Sequence, residues 1–416
     1  MNTNTATINF IQKNRTCDIR QLALRSAGTK DVDMTYALEQ IAGWQAARRK
    51  LPTWASAEGV EFPPRLSMEQ CSSEATASYK AAEARRVLAE ELGIDTMELK
   101  ERCMADLTGG FGVDFSFMAK GFGRATYVER NERLCEVARH NFPVLGLSGA
   151  EVVCAQAEDY LEEMNAVDLI FLDPARRDAN GAKTVAMADC TPDVEALCPQ
   201  LLKKARVVVV KLSPMLDWHK AVADLQGAVS EVHIVAAGGE CKELLLFLTA
   251  SHQGDNVQVV CVNGNERLDF STADDVPPMQ FAPSDWFTGG DGALDAAPIY
   301  LYEPNASVMK AGCFALIAER FGVREVAPNS HLFVGRETVD GFPGRRFRIS
   351  AISTMNKGRL RSALQGIKKA NVAVRNFPLS AADLRRKLKI SDGGDIYIFA
   401  TTTLDGQHIV LVGSRF

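Results

Sequence analysis

Residues 106–114 (DLTGGFGVD) place two acids and three glycines directly after a short apolar stretch. Because glycine has no Cβ, a turn of this kind lets the backbone approach a ligand closely. Between a predicted strand and a predicted helix, it is typical of a nucleotide-like cofactor site. A tight strand-to-helix turn without a ligand has the same pattern, so both interpretations stay open at this point.

A further acid, Glu129, ends the next predicted strand. A carboxylate at this place can accept hydrogen bonds from both hydroxyls of a ribose. The dinucleotide fingerprint requires a third small residue after Gly110 and Gly112, where this chain has Phe115. The sequence therefore disfavours NAD as the cofactor.

The stretch 168–177 (DLIFLDPARR) ends an apolar strand in a carboxylate. A strand that ends at the carboxyl edge of a parallel sheet brings its last side chain to the crevice where ligands bind. We expect Asp173, with the carbonyl of Pro174, to accept a hydrogen bond from an attacking amine, the alternative being an Asp-Pro turn that only ends the strand. Arg176 and Arg177 are either a bidentate phosphate clamp or solvated side chains. The candidate catalytic residues are Asp173, Pro174 and Arg176.

The elements that position these residues follow from the apolar pattern. Residues 1 to about 100 are predicted to be helical, with a helix face running from Met34 to Trp44 and a second helix that opens on a Ser67-x-x-Gln70 capping box and ends at Gly93. From 103 to 250, apolar strands alternate with helical stretches, which predicts a mainly parallel sheet flanked by helices. The last two strands are too close in sequence for a helical crossover, so we expect an antiparallel edge hairpin.

Beyond residue 250 the chain predicts smaller elements. A hairpin is expected to turn at Asn263-Gly264, and a stretch dense in Pro, Gly and Asp marks a boundary before residue 299. A strand, one helix over NASVMKAGCFALIAERFG and a further strand (HLFVG) then form a small α/β unit. A last hairpin is expected to turn near Asp405-Gly406.

The composition describes a folded globular protein of 416 residues with a net charge of −5. No window has 18 uninterrupted apolar residues and the start of the chain lacks an apolar signal core, so we expect neither secretion nor a membrane span. The ten cysteines contain no C-x-x-C step and favour reduced core thiols in the cytoplasm rather than disulfides or a metal site.

Charge is distributed unevenly. Residues 342–389 contain thirteen Lys and Arg against one Asp, a net charge of +12 that leaves −17 for the rest of the chain. Cations at this density repel one another unless an anionic surface faces them, and that surface is either the acidic remainder of the chain or an RNA backbone. The predicted RNA-binding residues lie around the strand Asn371–Val374 and on the helix after Pro378. They are Lys368, Lys369, Arg375, Arg385, Arg386 and Lys387.

Several stretches together resemble one family, the bacterial class I S-adenosylmethionine (SAM) methyltransferases with a C-terminal THUMP-like domain. They are FPPRLSMEQCSSEATASYK, DLTGGFGVD, FLDPARR, VVVKLSP, AAGGECKE and the tail IKKANVAVRNFPLSAADLRRKLKISDGGDIYIFATT. The resemblance covers nearly the whole chain. It implies an α/β fold with a helical N-terminal region (1–92), a Rossmann-like seven-stranded methyltransferase domain (93–271), a ferredoxin-like module (278–338) and a THUMP-like α/β domain (342–416).

The resemblance also implies SAM as the cofactor and extends the site. Asp106 and Asp173-Pro174 match the family's motifs I and IV, and the residue that contacts the adenine edge is expected at Gln156 or Glu158. Gln70, Ser72, Ser73 and Glu74 are expected near the cofactor, unless they only cap a helix. The full set of expected cofactor contacts is Gln70, Ser72, Ser73, Asp106, Thr108, Gly109, Gly110, Phe111, Gly112, Asp114, Glu129, Gln156, Ala157 and Glu158; no metal site is expected.

Three functions agree with these observations. The leading hypothesis is a SAM-dependent methyltransferase acting on structured RNA, since THUMP domains are associated with RNA. The alternatives are a methyltransferase for a small molecule or protein, and a non-catalytic RNA-binding protein. Base N-methylation is disfavoured, because Ala175 and Arg176 replace the second proline and the aromatic residue of Asp-Pro-Pro-aromatic enzymes. Covalent C5 chemistry on pyrimidines lacks its cysteine nucleophile.

Overall fold

The computed structural model describes residues 4–25, 31–176, 187–287 and 298–416. Contacts between residues divide the chain into two compact units. The first unit holds residues 1–232 and 243–257, and the second holds residues 233–242 and 258–416. They are described in turn.

The first unit begins with helices, as the sequence predicts. They are α1 (Thr5–Asn14), α2 (Ile19–Arg25), α3 (Met34–Lys50), α4 (Pro52–Ser56), α5 (Arg65–Gln70) and α6 (Glu74–Leu92), followed by a 3-10 turn at Thr96–Glu101. Ala37 and Ile41 of the periodic face of α3 are buried, and the rest of that face is half-buried. Trp54 of α4 belongs to one apolar cluster with Phe62 and Phe111. The predicted stop at Gly93 is confirmed, because this residue caps α6 in the left-handed conformation.

The predicted Ser67-x-x-Gln70 capping box is wrong. Ser67 lies inside α5, whose N-cap is Pro64 and has no side-chain cap. The helix is interrupted at residues 71–73. Ser73 is the N-cap of α6 and accepts a hydrogen bond from the Thr76 N–H. The long run predicted as one helix is therefore two helices, and its second start places Ser72 in the protein interior.

A twisted sheet with flanking helices follows. Its strands are β1 (Cys103–Asp106), β2 (Arg124–Glu129), β3 (Ala150–Cys154), β4 (Val167–Leu172), β7 (Ala205–Leu212), β8 (Val229–Ala237) and β9 (Glu240–Thr249). The helices are α7 (Val113–Met118), α8 (Glu132–Val144), α9 (Ala157–Glu163), α10 (Val194–Lys204) and α11 (Trp218–Asp224). Two short strands, β5 (Ala175–Arg176) and β6 (Cys190–Thr191), pair separately.

The strand order is β3-β2-β1-β4-β7-β9-β8, and the first five of these strands are parallel. β9 runs antiparallel to β7, as expected for the hairpin that it forms with β8. The chain order reverses at β1, which lies between β2 and β4. In open sheets, ligands bind outside the carboxyl ends of strands at such a reversal, so the glycine turn after β1 and the Asp-Pro step after β4 lie where a ligand is expected.

The second unit contains the remaining strands and helices. They are β10 (Gln258–Asn263), β11 (Glu266–Ser271), β12 (Ile299–Pro304), α12 (Ala306–Ala311), α13 (Phe314–Arg320), β13 (Arg324–Glu325), β14 (Phe333–Gly335), β15 (Gly344–Thr354), α14 (Lys357–Ala363), β16 (Lys369–Val374), α15 (Ala381–Leu388), β17 (Ser391–Thr402) and β18 (His408–Arg415). Both predicted hairpin turns are confirmed, with Gly264 and Gly406 at positive φ. Because β10 and β11 continue the strand order beyond β8, the β8–β9 hairpin is not the edge that the sequence predicts.

A seven-stranded sheet of order β13-β14-β12-β15-β18-β17-β16 organises the rest of the second unit. One apolar cluster includes Leu301 and Phe347, and a separate cluster contains Leu360 of α14 and Leu384 of α15. The single helix predicted over residues 305–322 is two helices, since Gly312 ends α12 at a φ of 73°.

The basic segment is neutralised in part within its own unit. Glu303, which is buried, accepts hydrogen bonds from Arg345 and Arg375. Arg385 forms an ion pair with Asp392, and the other pairs are Arg346 with Asp340 and Arg386 with Asp383. Charge counting therefore overstated the free cations, since Arg375, Arg385 and Arg386 of the predicted RNA-binding set have acidic partners.

All ten cysteines are free thiols, in agreement with the sequence. Not all are core residues, however, because Cys17 and Cys154 are exposed. In the part of the chain that the structure describes, no helix is long and apolar enough to cross a membrane.

Glu303 gives the first testable prediction. Replacement by Leu leaves two arginines without their buried acceptor, and hydrogen bonds to charged groups are worth about 1.5–3 kcal/mol each. We expect Glu303→Leu to lower the free energy of unfolding by about 2 kcal/mol or more, measured by urea denaturation. Asp340→Leu, which removes an exposed partner of Arg346, is the matched control and should cost less than about 1 kcal/mol. Equal losses for the two variants would contradict the anchoring role of Glu303.

Candidate functional site

The glycine turn and the end of β4 are joined by hydrogen bonds. Asp106, at the end of β1, accepts a bond from the Thr108 N–H at 3.0 Å. The Thr108 hydroxyl oxygen in turn accepts a bond from the Asp173 N–H at 2.6 Å. The first turn after β1 thus fixes the backbone of Asp173 at the same edge of the sheet.

Three glycines of the turn have different surroundings. A Cβ built at Gly109 would lie 2.1 Å from the Tyr127 ring, and one at Gly112 would lie 2.9 Å from Phe142. At Gly110, which has a φ of 54°, the nearest atom to such a Cβ is the Thr108 oxygen at 3.8 Å. Gly109 and Gly112 are therefore required by packing, whereas Gly110 faces open space.

Two predicted cofactor residues near the turn face the protein interior. The side chain of Phe111 packs against Trp54, with 4.7 Å between the ring centroids. The Asp114 carboxylate accepts a hydrogen bond from the Ser72 hydroxyl at 2.7 Å and is buried. Gly112 is predicted as a cofactor contact, but a methyl group there would meet the Phe142 ring.

Glu129 is held at the end of β2 by backbone donors. One carboxylate oxygen accepts a bond from the Gly110 N–H at 2.9 Å, and the other accepts one from the Asn131 N–H at 2.8 Å. Each carboxylate oxygen has a second lone pair. The half-buried carboxylate beside the open face of Gly110 retains acceptor capacity for ligand hydroxyls.

The predicted adenine contacts lie at the end of β3. Gln156 is exposed and caps α9 without a side-chain hydrogen bond, Glu158 is half-buried, and Ala157 is buried. The geometry leaves the choice between Gln156 and Glu158 open.

The stretch 70–74 serves mainly as a helix junction. Gln70 is exposed, Ser73 caps α6, and Glu74 accepts a hydrogen bond from the Thr53 N–H at 2.8 Å. Ser72 differs from these residues, because its hydroxyl donates a hydrogen bond to Asp114. The alternative in which the whole stretch only caps a helix did not separate it from its neighbours.

A row of charged side chains in the first unit ends at Asp173. Lys80 of α6 is fully buried and donates to both oxygens of Glu243, at 2.6 and 2.7 Å. Its ammonium also lies 3.3 Å from Asp114. Lys211, at the end of β7, lies 3.7 Å from Asp114 and donates to Asp173 at 2.5 Å.

Burial and charge set the protonation of this cluster. Burial raises the pKa of Asp106 well above its ordinary value, which favours its neutral form. Burial also acts to raise the pKa of Asp114, but the ammonium groups of Lys80 and Lys211 outweigh it and the pKa is lowered. For Lys211, burial opposes the charge, yet the carboxylates of Asp173 and Asp114 raise the pKa above its ordinary value. Lys211 is therefore a cation at neutral pH.

Three residues of this charged row were not predicted from the sequence. Lys211 stands in the quoted stretch VVVKLSP and Glu243 in AAGGECKE, but neither was assigned a role. Lys80 lies on the helix predicted from residues 66–93, and 163 residues separate it from Glu243. A lysine on an otherwise buried helix face was the available signal, since lysine is almost never fully buried unless paired.

The roles predicted for the two arginines after β4 stay predictions. Arg177 lies outside the described residues, and Arg176 contributes its backbone to β5. Within residues 4–25, 31–176, 187–287 and 298–416, no group of His, Cys, Asp and Glu could hold a metal ion.

The strand order and the site define a protein of the Rossmann-like methyltransferase fold. Matching family models are a ferredoxin-like domain at residues 300–343 and a THUMP domain-like region at residues 344–415. A crystal structure of a "putative methyltransferase" from Porphyromonas gingivalis W83 is 30% identical, with 99% of this chain and 97% of that chain covered and a TM-score of 0.81. The chain therefore belongs to the family of this protein, with the ferredoxin-like and THUMP-like domains that the sequence predicts.

Two further solved structures match less than half of this chain. A SAM-dependent methyltransferase from Agrobacterium tumefaciens is 16% identical over 41% of this chain and 62% of its own, with a TM-score of 0.31. A T. thermophilus 16S rRNA methyltransferase in complex with AdoMet and guanosine is 19% identical over 42% of each chain, also with a TM-score of 0.31. Comparison with curated protein sequences gives no match.

The surroundings of Gly112 predict a structural effect of its replacement. At a φ of 86° an alanine is strained by about 1–2 kcal/mol, and its methyl group would meet Phe142. We expect Gly112→Ala to lower the free energy of unfolding by about 2 kcal/mol or more, measured by urea denaturation. Gly146→Ala is the matched control, because it has a φ of 80° but open space around it, and it should show the backbone strain alone. Equal stabilities for the two variants would show that Phe142 does not restrict this position.

Proposed function

We propose that this protein is a SAM-dependent methyltransferase that modifies structured RNA. The observation that carries the proposal is the hydrogen bond between the Asp173 N–H and the Thr108 hydroxyl. It joins the glycine turn, where a cofactor would bind, to the carboxylate at the end of β4. This contact supports a cofactor site and an acceptor for substrate protons at one sheet edge.

The residues at this edge fit SAM. Gly110 leaves space for close approach of a ligand, and Glu129 can accept hydrogen bonds from the two ribose hydroxyls. Gln156 or Glu158 would contact the adenine edge. When bound, SAM supplies an electrophilic methyl group on a sulfonium centre. The contribution of the protein is to align the nucleophile with that carbon and to exclude water.

Three observations support Asp173 as the residue that meets the substrate. Its backbone is fixed by Thr108, its carboxylate is oriented by Lys211, and its side chain is 40% exposed. A carboxylate held in this way can accept a hydrogen bond from an attacking group. Function depends on the site and not on the fold alone. Replacement of Asp173 is therefore the most direct test of the proposed activity.

The second unit supports RNA as the substrate class. It contains the THUMP-like region, and Lys368, Lys369 and Lys387 are exposed without an acidic partner among the described residues. Ala370 of β16 and Leu384 of α15 belong to one apolar cluster, so the elements that carry these lysines pack together. Such a group of cations suits contacts to phosphates.

Methyl transfer tests the proposal directly. Labelled SAM and total RNA from a strain lacking the gene should give label in one RNA species with the wild-type protein. Gly110→Ala should bind SAM at least about tenfold more weakly in calorimetry, since its methyl group enters the open space beside Glu129 while its backbone strain is only about 1–2 kcal/mol. Label in protein or in small molecules but not in RNA would contradict the RNA assignment. Wild-type SAM affinity in folded Gly110→Ala would contradict the location of the cofactor.

Salt dependence tests the role of the exposed lysines. Each neutralised phosphate releases a counterion, so the slope of log affinity against log salt reports the number of contacts. We expect a Lys368→Ala, Lys369→Ala, Lys387→Ala triple variant to bind RNA more weakly, with a slope smaller by about two for three lost contacts. A Lys13→Ala, Lys203→Ala, Lys220→Ala variant removes the same charge from exposed positions in the first unit and should behave as wild type. Identical slopes for the two triple variants would exclude a specific role for the tail lysines.

A further inference from the structure

The charged side chains that lead to Asp173 are most buried at Lys80 and its partner Glu243, and exposure rises from Lys80 through Asp114 and Lys211 to Asp173. The exposed fraction of the side chain is 0% for Lys80, 4% for Glu243, 10% for Asp114, 13% for Lys211 and 40% for Asp173. The buried end is satisfied internally, because Lys80 pairs with both Glu243 and Asp114. Only the Lys211–Asp173 pair is placed to meet a substrate.

This pair offers one donor and one acceptor. An ammonium has three N–H donors, and Lys211 uses one on Asp173, while Asp114 at 3.7 Å is beyond hydrogen-bond distance. The second carboxylate oxygen of Asp173 has no donor among the described residues. A substrate group that both donates and accepts can therefore bind Lys211 and Asp173 at once.

We propose that the nucleophile methylated at this site is a hydroxyl oxygen, that of an RNA ribose, with Asp173 accepting its proton and Lys211 donating to its oxygen. This inference rests on the proposed function and names the atom that is modified.

The lone pairs of the two candidate nucleophiles distinguish them. A hydroxyl oxygen has two lone pairs, so it can accept from Lys211 with one and attack the methyl carbon with the other. An amino nitrogen has a single lone pair, which the attack requires, and its hydrogens would face the N–H donors of Lys211. In addition, nitrogen gains positive charge as it is methylated, and a nearby cation opposes that change.

Lys211 acts here as a donor and not as a base. The neighbouring carboxylates raise its pKa above the ordinary value, so it remains protonated at neutral pH. A fixed cation beside a hydroxyl stabilises the negative charge that develops on its oxygen.

The reaction balances with the residues present. The hydroxyl proton passes to the free oxygen of Asp173 and from there to solvent. An oxygen lone pair forms the C–O bond, while the bond from the methyl carbon to sulfur breaks and its electron pair remains on sulfur. The products are an O-methyl ether and a neutral thioether, and no oxidant or metal is required.

A ribose hydroxyl suits the surroundings better than a base. Ala175 and Arg176 stand where enzymes that act on a flipped base have a proline and a stacking aromatic residue. The 2′-hydroxyl occurs at every nucleotide of RNA and is both a donor and an acceptor.

The position of the label in RNA tests the inference. Alkali cleaves RNA only next to a free 2′-hydroxyl, so a 2′-O-methyl group leaves an alkali-resistant dinucleotide. We expect the label transferred by the wild-type protein to be found in such dinucleotides. Label in alkali-released mononucleotides would overturn the inference and leave the proposed RNA methyltransferase intact. Absence of label from RNA would overturn the proposed function itself, and the inference with it.

Variants of the pair provide a second test. Asp173→Asn and Lys211→Met should each lower kcat by about 100-fold or more, while SAM affinity and the KM for RNA stay near wild type. Lys220→Met, which alters an exposed lysine paired with Asp224, is the control and should keep wild-type kcat. Should Lys211→Met fail to fold, Asp173→Asn carries the test, because the side chain is partly exposed and the replacement is isosteric. Wild-type kcat in Asp173→Asn would overturn the inference.

Discussion

The buried ammonium of Lys80 is the constraint on which the first unit depends. An isolated charge in a protein interior is too costly to keep, so it requires carboxylate partners in fixed positions. Here those partners come from β9 and from α7, the helix that follows the glycine turn. One buried cation thus ties α6 to β9 and to α7, directly after the glycine turn.

The same constraint explains why Lys211 faces Asp173. Asp114 lies between the two lysines, and Lys80 already provides its closer cation. Lys211, at the end of a parallel strand, is therefore directed to the carboxylate that ends β4, 2.5 Å away. The pairing that stabilises the buried Lys80 therefore also leaves Lys211 to pair with Asp173.

Local features of this fold could be predicted from the sequence, whereas distant pairings could not. Gly93, Gly264 and Gly406 adopt a positive φ, and glycine at the end of a helical or strand pattern predicts such a turn. The parallel strands followed from continuous apolar runs. The roles of the glycines in the glycine turn could not be predicted, because the Phe142 ring that restricts Gly112 comes from a helix about 30 residues away. The Lys80–Glu243 pair, 163 residues apart, had no local signal beyond a lysine in a buried pattern.

The net charge of the basic segment overestimated its unpaired cations for a related reason. A net charge of +12 over residues 342–389 describes composition, but Glu303, Asp340 and Asp392 lie outside that range and pair with its arginines. The cations left without acidic partners among the described residues include exposed lysines, whose compact and mobile charges suit non-specific phosphate contacts. If RNA is bound there, the tail supplies affinity without sequence discrimination. Selection of the nucleotide must then come from the shape of the RNA and from the crevice at Asp173, where a hydroxyl finds both a donor and an acceptor.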